Sequence, residues 1–281
     1  MRRCLLAVHA HPDDESSKGA GTVARYSADG VHCVLVCCTG GEEGSILNPA
    51  MERPEVVERL HEVRLEELAA AARIIGYHEV MMLGYRDSGM ADSEANARPD
   101  NFANAPLDEA VGRLVGILRR TQPEVVLTYG EDQKGYPHPD HLRVHEVTMA
   151  AVDAAADPGH HAEAGPAWQV AKVYWSVWSR ARMLATHEKF LELGLESPYT
   201  PEWLERASPD EKTTTQVPIR GFEDVRRDAL LAHATQVDPT SPFWFGLPWD
   251  VARTVHPYDD WVLARSSVPT ELPEDDLFAG L

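Results

Sequence analysis

A histidine and two acidic residues directly follow the first apolar run of the chain, and their types and spacing suit metal chemistry. The run Cys4 to Val8 has the length of a buried strand, and His11, Asp13 and Asp14 occupy the turn after it. An imidazole and a carboxylate three residues apart on a tight turn can reach one divalent ion from one side. The carboxylate between them then points elsewhere. The turn therefore predicts a metal site with a second acid free for proton transfer.

A second group of similar chemistry lies far along the chain, between Gly135 and His141. It follows the strand-like run Val125 to Tyr129 and includes Tyr136, His138 and Asp140. An open metal site needs about three protein ligands plus water, and open α/β sheets bind ligands at the carboxyl ends of their strands. We therefore expect the two turns to face each other and to complete one site.

Two other interpretations of these turns were considered. The first turn could simply begin a helix and the second could be a proline-rich loop, but the position of both after strands makes a shared site the better prediction. His145 follows His141 at the i, i+4 spacing that zinc ligands can use. Because a third histidine would close the site, His145 is expected to be structural.

The composition excludes several classes of protein. The 281 residues carry a formal net charge of -19, and a polyanion such as a nucleic acid or an anionic membrane would be repelled. The four cysteines lie in or beside apolar segments without the spacing of a zinc site or a disulfide framework. No apolar run approaches the roughly 18 residues of a membrane span, and the N-terminus does not resemble a signal sequence. We therefore expect a cytoplasmic protein with a small-molecule partner; the sequence leaves its oligomeric state open.

Strand and helix signals alternate through the first half of the chain. Strands are predicted at Cys4–Val8, Val31–Cys38, Glu79–Leu83 and Val125–Tyr129, and helices at Ser16–Asp29, Pro54–Ile75, Leu107–Thr121 and Asp140–Ala155. This order predicts a Rossmann-like α/β fold, with a mostly parallel sheet flanked by helices. Arg64 falls within the apolar stripe of its helix, where it either extends its charge to water or points into a pocket.

The second half of the chain has weaker signals. Strands are predicted at Gln169–Val177 and Thr213–Val217, and helices at Arg180–Leu193 and Phe222–Ala234. We expect residues 1–165 to form the catalytic core and residues 166–281 a smaller α+β lobe that completes the sheet and the pocket, both within one integrated domain. The aromatic residues of the tail either wall a substrate pocket or pack this lobe, and packing is favoured: Phe243, Trp244, Phe245, Trp249 and Trp261.

The two turns together resemble the LmbE-like, PIG-L-type metal-dependent N-deacetylases. Further stretches resemble one group within that superfamily, the mycothiol S-conjugate amidases: His11 to Ala20, Arg86 to Met90, Ala232 to Gln236 and Leu277 to Gly280. The similarity spans nearly the whole chain. It implies a hydrolase that cuts the amide bond of a mycothiol S-conjugate to release an N-acetylcysteine S-conjugate and glucosaminyl-inositol, in detoxification or on an antibiotic intermediate.

The resemblance also implies roles for individual residues. His11, Asp14 and His141 would hold Zn²⁺, or Fe²⁺ in its place, and Asp13 would be the general base. Tyr136 and His138 would stabilise the oxyanion, His138 would also protonate the leaving amine, and Asp140 would orient His138. Arg64 and Asp87 match positions that contact the inositol or sugar, and Lys18 matches one tied to the acetylcysteinyl group. The chain departs from many relatives at Ser45, where they carry a glutamate near the substrate.

These roles are chemically consistent with amide hydrolysis. A divalent ion lowers the pKa of a bound water towards about 7, a neighbouring carboxylate can take its proton, and the tetrahedral oxyanion needs donors such as Tyr136 and His138. Of the candidates, His138 titrates most conveniently near neutrality to protonate the amine.

Four other functions compete with this one. An N-acetylglucosaminyl-inositol or other N-acetyl-sugar deacetylase would use the same site. A dinucleotide enzyme is disfavoured because Gly19, Gly21 and Ala24 lie within the first helix rather than directly after the strand. A non-heme iron oxygenase would leave Asp13 unexplained. A non-catalytic sugar-binding protein would have no use for Asp13, Tyr136 and His138 together.

Overall fold

The strands form a single mixed sheet that is mostly parallel. The computed structural model describes residues 2–131, 136–207 and 209–281, and only the backbone of Arg206, so Gly135 of the second turn lies outside the described residues. The strands are β1 (Cys4–His9), β2 (His32–Thr39), β3 (Glu79–Tyr85), β4 (Val125–Tyr129), β5 (Lys172–Ser176), β6 (Thr215–Pro218) and β7 (Tyr258–Ser266). Their spatial order is β3-β2-β1-β4-β5-β7-β6. Strands β1 to β5 are parallel, and β7 runs antiparallel between β5 and β6.

Helices cover both faces of this sheet. They are α1 (Asp14–Ser17), α2 (Ala20–Ala28), α3 (Pro54–Val57), α4 (Leu60–Ile75), α5 (Leu107–Thr121), α6 (Pro139–Ala156), α7 (Arg180–Glu192), α8 (Pro201–Arg206), α9 (Glu223–Ala232), α10 (Pro242–Phe245) and α11 (Trp249–Val255). Because side chains alternate along a strand, Leu6 of β1 packs in the core that includes Leu114 and Val144, and Leu5 packs in the opposite core with Leu68. The predicted fold class, a mostly parallel sheet flanked by helices, is confirmed.

The first predicted helix is broken in two, which corrects the expected extent of Ser16–Asp29. Helix α1 ends at Ser17 and α2 begins at Ala20, with Gly19 between them at a φ of 91°. A Cβ on Gly19 would lie 2.6 Å from the ring of Trp261, so only glycine fits both the backbone angle and the space. Lys18 therefore caps a short first turn rather than continuing one long helix.

The other differences lie in the extent of helices and in the second half of the chain. The predicted helix Pro54–Ile75 is divided into α3 and α4. Strand β7 was not predicted at all, although it pairs with both β5 and β6 and contains Trp261, which we had placed in the aromatic tail. Strands on both sides of residue 165 belong to the same sheet; the division into a core and a lobe stays a prediction. None of the helices in the described ranges combines the length and apolar character needed to cross a membrane.

Candidate metal centre and active site

Both predicted turns lie at one edge of the sheet. Strands β1 and β4 are parallel neighbours, and the connection after β1 leads to β2 on one side while β4 lies on the other. Such a reversal of strand order leaves a crevice at the carboxyl ends of the strands, where doubly wound proteins bind their ligands. His11 and Asp14 follow β1, and His141 lies in the first turn of α6 after β4.

Three buried side chains in this crevice have the spacing of metal ligands. One carboxylate oxygen of Asp14, Oδ2, lies 3.4 Å from His11 Nδ1 and 3.4 Å from His141 Nε2. Ligands bound at about 2.0–2.1 Å to a tetrahedral Zn²⁺ are about 3.3–3.4 Å apart. The donor set, two imidazoles and one carboxylate, is also one that catalytic zinc sites use while leaving a position open. The three residues fit such an ion.

A second group of possible ligands shares His11 but is already engaged in hydrogen bonds. It contains His11, Asp87, His138 and Asp140. Asp140 Oδ1 accepts from the Ser88 hydroxyl, and Oδ2 accepts from the Ser88 backbone N–H and lies 3.1 Å from His11 Nε2. A carboxylate on the far nitrogen of a ligating imidazole fixes the orientation of the ring. Asp140 is therefore better placed to hold His11 than to bind an ion.

The pKa shifts of His11, Asp14 and His141 are compatible with a bound metal ion. Burial lowers the pKa of His141 to about 4, so this imidazole is neutral and can act as a ligand. Burial alone would raise the pKa of Asp14, but Lys18 and His141 hold it well below its ordinary value. Burial would also lower the pKa of His11, yet the carboxylates of Asp14, Asp140 and Asp87 raise it strongly. The carboxylates around His11 thus stabilise a positive charge at this position, which is either a proton on the imidazole or a metal ion bound in its place.

Asp13 stands apart from this group, as its sequence position suggested. Its backbone has a φ of 111°, in the left-handed region that few residues other than glycine adopt. Its carboxylate is 30% exposed and Oδ2 lies 3.1 Å from Arg64 Nη2. Burial raises the pKa of Asp13 to about 6 against the opposing effect of Arg64. A partly exposed carboxylate with a pKa near neutrality, beside the ligand group, suits proton transfer.

Arg64 is buried and contacts the first turn rather than open space. Its guanidinium donates to the carbonyl oxygens of Gly41 at 2.6 Å and Pro12 at 2.7 Å, in addition to its contact with Asp13. The guanidinium is buried, so the alternative in which its charge extends to water is wrong. The guanidinium instead ties α4 to the turns after β1 and β2. A contact between Arg64 and a sugar stays a prediction.

Lys18 lies against the ligand group. Its ammonium contacts Asp14 Oδ1 at 2.5 Å and the Ser17 hydroxyl at 3.2 Å, and it lies 5.4 Å from the centre of the Tyr129 ring. Lys18 also lines a narrow crevice together with Trp178, which follows β5, and Arg182 of α7. It therefore lies between the candidate ligand group and this crevice.

Tyr136, His138 and Asp140 lie at or just before the start of α6. His138 caps the helix: its Nδ1 accepts from the backbone N–H of Asp140 at 3.2 Å. Because Nδ1 accepts, the ring proton of neutral His138 lies on Nε2. The backbone of Asp140 thus donates to His138, and a role of the Asp140 carboxylate in orienting His138 stays a prediction. Burial, assisted by His11, lowers the pKa of His138. Tyr136 is about half exposed and stacks on His138 with ring centres 5.9 Å apart.

The turn after β3 brings Asp87 into the same crevice. Its Oδ1 accepts from the Gly89 backbone N–H at 2.8 Å and lies 3.5 Å from His11 Nε2. Burial would raise the pKa of Asp87, but His11 holds it well below its ordinary value. Ser45 is exposed, and its carbonyl oxygen accepts from the side chain of Gln236. Among the described residues, His145 makes no hydrogen bond to His11, Asp14 or His141. Its Nδ1 lies 3.0 Å from the carbonyl oxygen of Tyr129.

The sequence did not predict an ion pair that lies beside the turn after β1. Glu15 and His233 are both fully buried, with Glu15 Oε1 2.6 Å from His233 Nε2. The other oxygen of Glu15 accepts from the backbone N–H of Asp13 at 2.9 Å. Both residues lie in stretches that carried the resemblance, but no role was assigned to either. A buried histidine next to a buried acid has no signature in sequence spacing when 218 positions separate them.

The fold and this crevice are those of a doubly wound α/β protein with a candidate His–Asp–His ligand group at the switch point of its sheet. The PIG-L family (GlcNAc-PI de-N-acetylase) matches residues 6–152, and the chain belongs to this family. The predictions of the family and of an enzyme that hydrolyses amides are thereby confirmed.

Individual relatives refine this picture. The chain is 46% identical to a mycothiol S-conjugate amidase of Streptomyces coelicolor, covering 99% of this chain and 97% of the relative. It is 43% identical to a 1D-myo-inositol 2-acetamido-2-deoxy-alpha-D-glucopyranoside deacetylase of Geodermatophilus obscurus, covering 99% and 98%. Among solved structures, it is similar in fold to N,N'-diacetylchitobiose deacetylase from Pyrococcus horikoshii, with a TM-score of 0.64, 19% identity and coverage of 93% and 83%.

Proposed function

We propose that the chain is a zinc-dependent amidase that hydrolyses mycothiol S-conjugates to an N-acetylcysteine S-conjugate and glucosaminyl-inositol. The full-length similarity to a mycothiol S-conjugate amidase supports this substrate. The structural observation that carries it is the position of Lys18, which joins the ligand group to a crevice leading into the C-terminal lobe. A conjugate extends beyond its scissile amide, whereas a simple acetamide ends there.

In this proposal His11, Asp14 and His141 hold the ion, with Asp140 orienting His11. When bound, the ion polarises the amide carbonyl and lowers the pKa of the attacking water. Asp13 accepts the proton of that water, for which its partly exposed carboxylate and its pKa of about 6 are suited. Arg64 holds Asp13 in place through Oδ2.

Hydrogen-bond donors for the developing oxyanion come from the start of α6. The backbone contact at Nδ1 leaves the Nε2–H of His138 available as a donor. The hydroxyl of the half-exposed Tyr136 is the second donor in the proposal, and its position beside His138 supports that role. The leaving amine takes up the proton that Asp13 accepted from the water, which closes the proton balance. Neutral His138, whose Nδ1 is occupied by the backbone N–H of Asp140, keeps its Nε2 proton, so this proposal gives it the role of a hydrogen-bond donor.

A second candidate is deacetylation of N-acetylglucosaminyl-inositol, which the 43% identity to a deacetylase of that type favours. The same residues would perform it, because only the acyl group differs. The two candidate functions share one reaction mechanism and differ in which of the two substrates the enzyme hydrolyses more efficiently.

The test is hydrolysis of a panel of mycothiol conjugates and of unconjugated N-acetylglucosaminyl-inositol by zinc-loaded protein, with release of free amine as the measurement. We expect kcat/KM to be higher for the conjugates. The Asp13→Ala variant should retain zinc yet lose about two to four orders of magnitude in rate. A higher kcat/KM for the unconjugated sugar would reject the amidase in favour of the deacetylase, and no hydrolysis of either would reject both.

A further inference from the structure

The C-terminal lobe contains a cavity whose walls are aromatic and positively charged. Its volume is ≈ 130 Å³, and four residues of the aromatic tail form part of its wall: Phe243, Trp244, Phe245 and Trp249. Phe243 also packs against the buried cluster that contains Met183 and Phe190, as expected. Trp178 and Phe243 stack within it at 5.6 Å and 10°. A cavity of about 150 Å³ is large enough for one benzene ring, so this one is of the size of a single planar ring.

The charge of the cavity is opposite to that of the protein. Its described lining includes four arginines, at positions 182, 226, 227 and 253, and one carboxylate, that of Glu223. Glu223 lies 3.6 Å from Arg253, and Arg227 lies 2.8 Å from Asp228, so those two arginines are paired. In a chain with a net charge of -19, such a concentration of positive charge is a local exception.

Arg182 and Arg226 differ from the other two arginines. Within the described ranges, neither guanidinium has a hydrogen bond or an ion pair. Both lie over the same ring: Arg182 is 5.3 Å and Arg226 5.6 Å from the centre of Trp178. Arg182 also acts on Asp259 through space, because it opposes the rise in pKa that burial causes there. Two guanidiniums on an aromatic wall, without a carboxylate in contact, are suited to a planar carboxylate brought by a ligand.

The cavity adjoins the narrow crevice beside Lys18. Trp178 and Arg182 line both the cavity and the narrow crevice that contains Lys18, and Lys18 contacts Asp14 of the ligand group. A group attached to a substrate beyond its scissile amide would therefore pass Lys18 and meet Trp178 and Arg182.

We propose that this cavity binds the sulfur substituent of the conjugate and prefers a substituent that ends in an aromatic ring with a carboxylate. The proposal deepens the proposed function and rests on it for the identity of the substrate. The ring stacks on the aromatic walls, and the carboxylate pairs with Arg182 and Arg226.

The first experiment measures binding without catalysis. Its probes are N-acetyl-S-(4-carboxybenzyl)cysteine and N-acetyl-S-(4-methylbenzyl)cysteine, which share the benzyl ring and differ only in the group at its para position, an anionic carboxylate or a neutral methyl. Binding to zinc-loaded protein is measured by isothermal titration. We expect the carboxylate probe to bind at least about tenfold more tightly, the usual effect of one charge-assisted hydrogen bond. Equal dissociation constants for the two probes would overturn the proposal.

The second experiment measures hydrolysis of the two corresponding mycothiol conjugates by the wild type and by three variants. Arg182→Gln and Arg226→Gln should each lower the ratio of kcat/KM between the carboxybenzyl and the methylbenzyl conjugate by about tenfold. Arg180→Gln is the matched control, because Arg180 is exposed on the same helix as Arg182 and lies outside the cavity lining. Its ratio should equal that of the wild type.

The two proposals fail in different ways. If neither conjugate is hydrolysed but the carboxylate probe still binds preferentially, and Arg226→Gln removes that preference, the cavity assignment is supported and the amidase is rejected. If both conjugates are hydrolysed equally well and the arginine variants leave the ratio unchanged, the amidase stands and the cavity assignment is overturned.

Discussion

The ion pair between Glu15 and His233 should hold Asp13 in its unusual backbone conformation, and it can be tested by neutralising one partner. Burial alone would raise the pKa of Glu15, but His233 and hydrogen bonds lower it. Burial alone would lower the pKa of His233, but Glu15 raises it. Both groups are therefore charged at moderately acidic pH. In Glu15→Gln, the shape is kept while the charge and one acceptor oxygen are lost.

The expected loss of stability follows from the complete burial of both side chains. Removing one partner of a buried pair costs about 3–5 kcal/mol. We expect a value near the lower end, about 3 kcal/mol, since His233 can release its proton rather than remain an unpaired cation. The double variant Glu15→Gln/His233→Gln contains neither charge. Its loss should be smaller than the sum of the two single losses by about 1–3 kcal/mol, the coupling typical of residues in contact.

The pH dependence of this coupling has a defined sign. The pKa of His233 is raised in the folded protein. Its contribution to stability is therefore complete at pH values below its ordinary pKa of 6.5 and is lost as the pH rises through its pKa in the folded protein. The pKa of Glu15 is lowered in the folded protein. Its contribution to stability is therefore complete at pH values above its ordinary pKa of 4.5 and is lost as the pH falls through its pKa in the folded protein. The coupling should therefore be largest between pH 4.5 and 6.5.

The assay is urea unfolding of zinc-loaded wild type, both single variants and the double variant, followed by tryptophan fluorescence at several pH values. Glu58→Gln is the control, because Glu58 is exposed. In parallel, Glu15→Gln should lower kcat more than it changes KM, because the Asp13 backbone N–H loses an acceptor. Additive losses of stability at pH 6, together with an unchanged kcat, would refute the reasoning.

Three further predictions concern the crevice. Alanine at any one of the three proposed ligands should reduce bound zinc, measured by atomic absorption, to well below one equivalent; a variant that keeps one equivalent and full activity would remove that residue from the ligand set. Lys18→Ala should lower kcat/KM for a mycothiol S-conjugate by about tenfold or more and for unconjugated N-acetylglucosaminyl-inositol by less; equal losses would limit Lys18 to its contact with Asp14. Arg64→Lys keeps the charge but loses the three contacts of the guanidinium, so kcat should fall by about tenfold. The acid limb of the pH–rate profile should also move to higher pH, because Arg64 opposes the rise in the pKa of Asp13. A change in KM alone would favour a sugar contact instead.

The parts of the fold that were predictable are those with a local physical cause. The apolar runs of β1, β2 and β4 are buried on both faces of a parallel sheet, so they read as continuous hydrophobic segments. Once these strands were placed in a parallel sheet, the turns after them had to share one edge. The convergence of His11, Asp14 and His141 follows from that edge alone, without any knowledge of distances.

The parts that were missed depend on partners far along the chain. Strand β7 begins with Tyr258, Asp259 and Asp260, and two adjacent acids do not read as a buried strand. Both are nevertheless buried, because the Asp259 carboxylate accepts from Thr22 and the Asp260 carboxylate accepts from Ser179. Such compensation is invisible in a local window. The break at Gly19 likewise depends on Trp261 of β7.

The two turns look alike in sequence, but their prolines lie at different positions relative to a helix. In the first, Pro12 precedes Asp13, and α1 begins only at Asp14. In the second, Pro139 is itself the first residue of α6, so His138 becomes the helix cap and its Nδ1 is taken by the backbone N–H of Asp140. That cap frees the Asp140 carboxylate to hold His11 across the crevice. The same short pattern of histidine, proline and acid therefore supplies a candidate ligand in one turn and a candidate hydrogen-bond donor in the other, and the start of the helix decides which.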